Sequence, residues 1–198
     1  VLDRDDAQIV FVDTPVLHKP HDALGGELNR SALLGLSDVD VACLVIDASA
    51  PVGRGDEWVA RHVAKARAPH RVLVVTKADL GGQDVVTRQI EAASALVDFT
   101  DVVVVSALED FNVVGFADAV ARLLPEGPRY FPRDAATDQP LEVMLAEFIR
   151  EKVLIATHQE VPHAVGVAIE DLAYNEKRDI TTVAAVIFVE RDSQKGII

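Results

Sequence analysis

The chain has 198 residues, with 19 basic and 32 acidic side chains and a formal net charge of −13; its 49 % hydrophobic and 26 % charged content lies near the soluble globular average, which excludes a disordered or fibrous protein. No apolar run reaches the ~18 residues that span a bilayer, the first residues resemble no secretory signal, and the lone Cys43 excludes an intramolecular disulfide or a cysteine zinc cluster, in keeping with a reducing cytoplasm. So acidic a chain is a poor non-specific binder of nucleic acid: DNA is not expected as a partner, and any RNA contact needs a local basic surface.

The first ~125 residues repeat one rhythm, a short β-branched run followed by a longer segment with helical spacing. The runs are Ile9–Asp13, Val41–Asp47, Arg71–Thr76 and Asp101–Ser106. The helix-like stretches are Leu24–Leu36, Asp56–Ala68, Gln83–Val97 and Val113–Leu124. Near-continuous apolar strands separated by helices imply an α/β fold, a doubly wound, mostly parallel sheet covered on both faces. In such sheets ligands bind at the carboxyl ends of the strands.

Pro125, Gly127, Pro128 and Pro132 then introduce a Pro-rich polar segment, and residues 128–140 read as a linker between a domain at 1–127 and a second unit at 141–198. The second unit reads as a helix, Leu141–Ala156, then strands His163–Leu172 and Ile180–Glu190 joined by the polar loop Ala173–Asp179. The chain opens without Met and closes on Gly196-Ile197-Ile198, so both ends are expected to be interruptions of larger elements.

Four strand ends carry chemistry. Asp13-Thr14-Pro15 follows an apolar run, where a carboxylate can hold magnesium through water beside a nucleotide phosphate. Thr76-Lys77-Ala78-Asp79 ends the third run. There an aspartate can accept from N1–H and the exocyclic amine of guanine, which selects against adenine, while the aliphatic stem of Lys77 lies along the base plane. Ser106-Ala107-Leu108 ends the fourth run, where a backbone N–H can donate to guanine O6. Other roles compete with these. Asp13 can terminate a strand in a turn, Asp79 can cap the helix from Gln83, and His18-Lys19-Pro20 can be an exposed loop. His62, His70, His158 and His163 share no metal-ligand spacing, and no ordered Ser, His and Asp set points to a hydrolase triad. Cys43 reads as a small core residue, and Trp58 as packed against the sheet or partly exposed.

Taken in order, Asp13-Thr14-Pro15 with Leu17-His18-Lys19-Pro20, then Thr76-Lys77-Ala78-Asp79, then Ser106-Ala107, resemble the later guanine-nucleotide motifs of translation-factor-type GTPases. The string Val12-Asp13-Thr14-Pro15, with His18-Lys19-Pro20 after it, is similar to Era GTPases. Glu160-Val161-Pro162-His163 and Val189-Glu190-Arg191-Asp192-Ser193-Gln194-Lys195-Gly196-Ile197 resemble the opening of the Era type 2 K-homology (KH) domain. The resemblance covers nearly the whole chain. It implies a GTPase that binds GTP or GDP and Mg2+, binds the 3′ end of 16S ribosomal RNA and assists assembly of the 30S subunit, in the cytoplasm, with some members peripheral at the inner membrane. It places Asp13, Thr14, Pro15, Val16, Leu17, Thr76, Lys77, Asp79, Ser106, Ala107 and Leu108 around the nucleotide, Asp13 at the magnesium ion through water.

The chain departs from that pattern. It contains no Gly-x-x-x-x-Gly-Lys-Ser/Thr, so the chain as given is expected not to bind nucleotide tightly. Val16 stands where the family has the switch glycine, and its β-branch stiffens a position that needs close approach to phosphate. Leu17 stands where many GTPases orient the attacking water with glutamine. Thr76 stands in place of asparagine. The chain stops before the Gly-x-x-Gly loop that clamps RNA in KH folds, and residues 141–198 carry six basic against ten acidic side chains. The rival readings are a non-catalytic RNA- or ribosome-binding scaffold that has lost the switch, favoured by Val16 and the absent phosphate loop, and a related GTPase of tRNA modification or large-subunit assembly, which the Ser193-Gln194-Lys195-Gly196 string opposes.

Overall fold

In the computed structural model, which describes residues 1–14, 35–36, 38–157 and 165–197, three β-branched runs pair in parallel. With β1 (Leu2–Asp3) and β2 (Gln8–Ile9) counted first, these are β3 (Val41–Asp47), β4 (His70–Thr76) and β5 (Asp101–Val104), in the order β3-β4-β5. The β3/β4 register runs from Val41↔His70 to Asp47↔Thr76, and β4/β5 from Val72↔Asp101 to Val75↔Val104. Four successive residues of the middle strand, Val72 to Val75, are buried, so β4 shows no polar alternation because helices cover both of its faces.

The helices are α1 (Arg54–Lys65), α2 (Gln83–Ser94) and α3 (Val113–Ala121). Leu44, Ile46, Leu73 and Val75 pack with Val63 of α1 and Ala93 of α2 on one face. Val72, Val74 and Val103 pack with Ala119 of α3 on the other. This is the doubly wound arrangement expected from the run-and-helix rhythm. Local chemistry fixes each helix. The Asp56 carboxylate accepts from Gly53 N–H at 2.9 Å at the start of α1. At its end Arg71 donates to the carbonyls of Val63, Ala64 and Ala66 at 3.1–3.2 Å, placing a cation on the carbonyls at the negative end of the dipole. The buried Gln89 of α2 pins the loop after β3, donating to Ala50 O and accepting from Val52 N.

Several expected boundaries move. Ile9–Asp13 is not a strand of the parallel sheet: only Gln8–Ile9 pairs, antiparallel with Leu2–Asp3. Val10, Phe11 and Val12 are 42–59 % exposed. A strand exists through its ladder, and among the described residues none pairs with residues 10–13. Asp101–Ser106 pairs in its ladder only to Val104, then continues through Val105 N–H donating to Val75 O and an isolated bridge from Ser106 to Phe111. The helices expected at Asp56–Ala68, Gln83–Val97 and Val113–Leu124 each end three residues earlier than their apolar pattern, and the first begins at Arg54. Leu24–Leu36 lies almost entirely outside the described residues.

The chain divides into two units, Val1–Ala136 and Thr137–Ile198. In the first, residues 129–131 of the Pro-rich segment are bound to the β1–β2 hairpin. The Gln8 amide accepts from the N–H groups of Tyr130 and Phe131 and donates to Phe131 O, each at 2.9 Å. Arg129 donates to Asp3 Oδ1 and to the carbonyls of Arg4 and Asp5.

The second unit is α4 (Leu141–Ala156) followed by an antiparallel hairpin of β6 (Gly166–Asn175) and β7 (Ile180–Phe188) with a bulge between Ile169 and Asp171. Arg150 ties α4 to the start of β6 by donating to Val165 O at 3.0 Å. The expected loop Ala173–Asp179 is shorter than read, because Ala173, Tyr174 and Asn175 pair with Thr182, Thr181 and Ile180. Asp179 turns the chain in the left-handed region at φ 51° and accepts from the Tyr174 hydroxyl at 2.7 Å. Correspondingly, the strands expected at His163–Leu172 and Ile180–Glu190 occupy Gly166–Asn175 and Ile180–Phe188. Among the described residues, Phe148, Ile149 and Val153 of α4 line an apolar groove of about 550 Å³ with Val183 and Ile197. Among the described residues no helix is long and apolar enough to cross a membrane.

Candidate functional site

The carboxyl ends of β3, β4 and β5 lie side by side, and each contributes a polar residue. β4 ends at Thr76, whose hydroxyl donates to Ile46 O at 3.0 Å while its carbonyl accepts from Ala48 N–H at 2.9 Å. The chain then turns through Lys77, left-handed at φ 54° and ψ 39°, into a 3-10 turn at Ala78–Leu80. Ala78 N–H donates to Val105 O, which holds this turn against the end of β5.

Asp79 lies in that turn, exposed, and its Oδ1 accepts from Ser106 Oγ at 2.5 Å. Ser106 is 1 % exposed, and its hydroxyl also accepts from Glu109 N–H at 3.2 Å. Backbone bonds to Phe111 in both directions, with Asp110 and Asn112 at positive φ, fold residues 106–112 into a tight loop. Asn112 Nδ2 donates to Val104 O at 2.9 Å and fastens that loop to the strand. Asp79 does not cap α2; the N-cap there is Gly82.

On the other side, Lys77 Nζ donates to Asp47 Oδ2 at 2.6 Å, and Asp47 Oδ1 accepts from Ser49 N–H at 2.7 Å and Ser49 Oγ at 2.6 Å. These hydrogen bonds, led by that from Lys77, hold the Asp47 carboxyl at a pKa of about 2, and the Lys77 ammonium is raised in turn by the same bond.

The structure therefore brings together Thr76, Lys77, Asp79 and Ser106 at one edge of the sheet, with Ala107 and Leu108 exposed immediately after. Asp13 is exposed and Thr14 half-buried, at the end of the unpaired segment after β2. Pro15, Val16, Leu17 and His18-Lys19-Pro20, with Glu160-Val161-Pro162-His163, lie outside the described residues. Asp13 offers one carboxylate, which suits a magnesium ion taking its remaining ligands from water and phosphate. Among the described residues no group of three or more His, Cys, Asp or Glu side chains forms a metal cage. His62 is engaged locally, its Nδ1 2.8 Å from Trp58 O and its ring 4.0 Å from the half-buried indole.

Asp47 and Ser49 were not among the residues singled out in the sequence. The signal was present, since Asp47 is an acid at the carboxyl end of a buried parallel strand, the criterion that marked Asp13. Chemically, the strand ends offer a carboxylate with one oxygen fixed by Ser106 and the rest of its acceptor capacity directed to solvent, with the long aliphatic stem of Lys77 in the same turn. That combination suits a planar heterocycle presenting adjacent N–H donors.

The family described as the elongation factor Tu GTP binding domain matches residues 2–126. Among solved structures, a variant of Aquifex aeolicus Era bound to GDP and AlF4− is similar, with 30 % identity and a TM-score of 0.84, over 98 % of this chain and 66 % of that one. Era in complex with MgGDPNP and nucleotides 1506–1542 of 16S ribosomal RNA is similar at 29 % identity and a TM-score of 0.81, over 93 % and 63 %. The chain thus spans a little under two thirds of the length of those Era chains.

Proposed function

We propose, from the premise that the chain belongs to the elongation factor Tu GTP binding domain family and is of Era type along almost its whole length, that the protein is a GTPase. It binds GTP and GDP with Mg2+, binds the 3′ end of 16S ribosomal RNA, and assists assembly of the 30S subunit. The observation that supports the nucleotide reading is the strand-end cluster, in which Ser106 holds Asp79 on the β5 side and Asp47 holds Lys77 on the β3 side. The Asp79 carboxylate accepts from N1–H and the exocyclic amine of guanine, and adenine, lacking both donors, leaves that carboxylate unpaired. Asp13 holds the magnesium ion through water. The solved Era complexes with GDP and AlF4− and with MgGDPNP and 16S nucleotides support these ligands.

The second unit, a helix followed by an antiparallel hairpin, is the opening of a type 2 KH domain. The protein acts in the cytoplasm, with a peripheral association at the inner membrane. Its hydrolytic step uses a group other than Leu17 to orient water, because an apolar side chain polarises nothing.

The second reading, a scaffold without a switch, is favoured by Val16 at the glycine position. Binding of fluorescent GTP and ATP analogues with magnesium separates the two. The chain as given is compared with one extended at both ends. GTP-selective binding by the extended chain, weakened by Asp79→Asn, supports the GTPase. An extended chain indifferent to GTP but retained on ribosomal subunits supports the scaffold.

A further inference from the structure

Lys77 and Asp79 are two residues apart in one turn, yet their side chains are held by different strands. Lys77 reaches to Asp47 at the end of β3, and Asp79 to Ser106 at the end of β5. The two are drawn to opposite sides of β4, whose end remains accessible between them, with the Lys77 side chain 58 % exposed. Asp47 is built to hold its position. Both donors of Ser49 fix its Oδ1, so its Oδ2 faces Lys77 with little freedom to swing away. Its backbone pairs in register with Thr76, the residue before Lys77, and Ala48 N–H and the Thr76 hydroxyl cross-link the same two strand ends. Lys77 meanwhile adopts a left-handed backbone, which a residue other than glycine rarely takes without local compensation.

We infer that Asp47 is a positioning residue for guanine recognition, acting through Lys77. It keeps the lysine stem ordered at the end of β4, so that a guanine base meets a prepared wall opposite Asp79. This rests on the guanine-nucleotide reading proposed above and names a residue which that reading does not use. An unpaired lysine has many rotamers, and ordering them when the base arrives opposes binding; an ion pair already present removes that opposition beforehand. Asp47 selects no base itself, because its oxygens are engaged by Ser49 and Lys77; discrimination stays with Asp79.

The test uses the full-length protein and fluorescent GDP. Asp47→Asn is expected to weaken GDP binding about three- to tenfold, the scale of immobilising one long side chain, with the preference for GDP over ADP unchanged. Asp47→Glu, which keeps the charge, is expected to restore most of the loss. In a Lys77→Ala background Asp47→Asn is expected to have no further effect. A readout independent of nucleotide is acylation of surface amines by a succinimidyl ester, followed by mass spectrometry: Lys77 reacts slowly in the wild type and faster in Asp47→Asn. Should Asp47→Asn fail to fold, Ser49→Ala carries the test, with a smaller loss in the same direction. Equal GDP affinity in wild type and Asp47→Asn, or an equal loss with and without Lys77, overturns the role of Asp47 alone. A wild type that binds no guanine nucleotide overturns both this role and the proposed function.

Discussion

The Ser106 hydroxyl donates to the Asp79 carboxylate at 2.5 Å across the ends of β4 and β5, so the acid proposed to read the base is oriented by a buried group next to the neighbouring strand. Hydrogen bonds to a charged acceptor contribute about 1.5–3 kcal/mol. Ser106→Ala is therefore expected to weaken GTP binding about tenfold or more in the extended chain. Asp79→Asn is expected to weaken GTP more strongly and to raise relative affinity for xanthosine nucleotides, because an amide N–H can donate to the oxygen that replaces the guanine amine. Competition against a fluorescent GDP analogue measures both. A Ser106→Ala variant with unchanged affinity would show that the hydroxyl only seals the end of β5.

The Asp47–Lys77 pair has a definite pH signature. Its carboxyl lies at about 2 against an ordinary 3.8, led by the Lys77 hydrogen bond. An acid whose folded value is depressed contributes stability that is fully present above the unfolded value and lost as pH falls through the folded one. The contribution of Asp47 is therefore constant near neutrality and disappears between about pH 4 and pH 2. A carbon-detected NMR titration of the Asp47 carboxyl should show a midpoint near 2, and Lys77→Ala should move it up toward 3.8. A midpoint near 3.8 in the unmodified protein would mean that the ion pair is not populated in solution.

Much of the first unit was legible because β3 and β4 are apolar runs rich in β-branched residues, β4 buried on both faces and β3 on one, a pattern that helices do not share at that length. The starts at Gln83, Val113 and Leu141 were legible for the same periodic reason. The ends of α1 and α2 were overshot because the core continues past them: Ala68 and Val97 are buried, at 5 % and 8 % exposure, in chain that has already left the helix. Apolar spacing marks what is buried, and burial outlasts helical hydrogen bonding. Ile9–Asp13 was misread because its pattern is that of a strand while pairing depends on a neighbouring edge. At the site, Lys77, Asp79 and Ser106 could each be picked out as strand-end residues. That Lys77 and Asp79 diverge toward β3 and β5 could not, because it follows from the order of the strands.

Cys43 lies on β3, its thiol pushed up to about 11 from 9.0 by burial. Since the thiolate is the nucleophile, a rise of that size lowers the reactive fraction near neutral pH about a hundredfold. Iodoacetamide at about pH 8 should leave Cys43 unmodified in the folded chain over times that alkylate it fully in urea, as followed by intact mass. Equal rates in the two conditions would show that the helix-covered face of β3 opens on the labelling timescale.

Gln8 joins two segments more than 120 residues apart, since its one amide satisfies the backbone of both Tyr130 and Phe131 while donating to Asp3. No short-range signal announces such a contact, because the partners are main-chain groups of a Pro-rich stretch whose sequence reads only as linker. Leucine at position 8 keeps the volume but removes both halves of the amide, leaving the Tyr130 and Phe131 amides to water. Gln8→Leu should therefore lower stability by about 1–3 kcal/mol, read from urea unfolding. It should also speed hydrogen exchange at Tyr130 and Phe131 while leaving the amides of β4 slow. Because Arg129 still grips Asp3 and the carbonyls of Arg4 and Asp5, the segment should loosen at residues 130–131 first and at 129 last. Uniform acceleration across all three would mean that Gln8 and Arg129 act as one cooperative clasp.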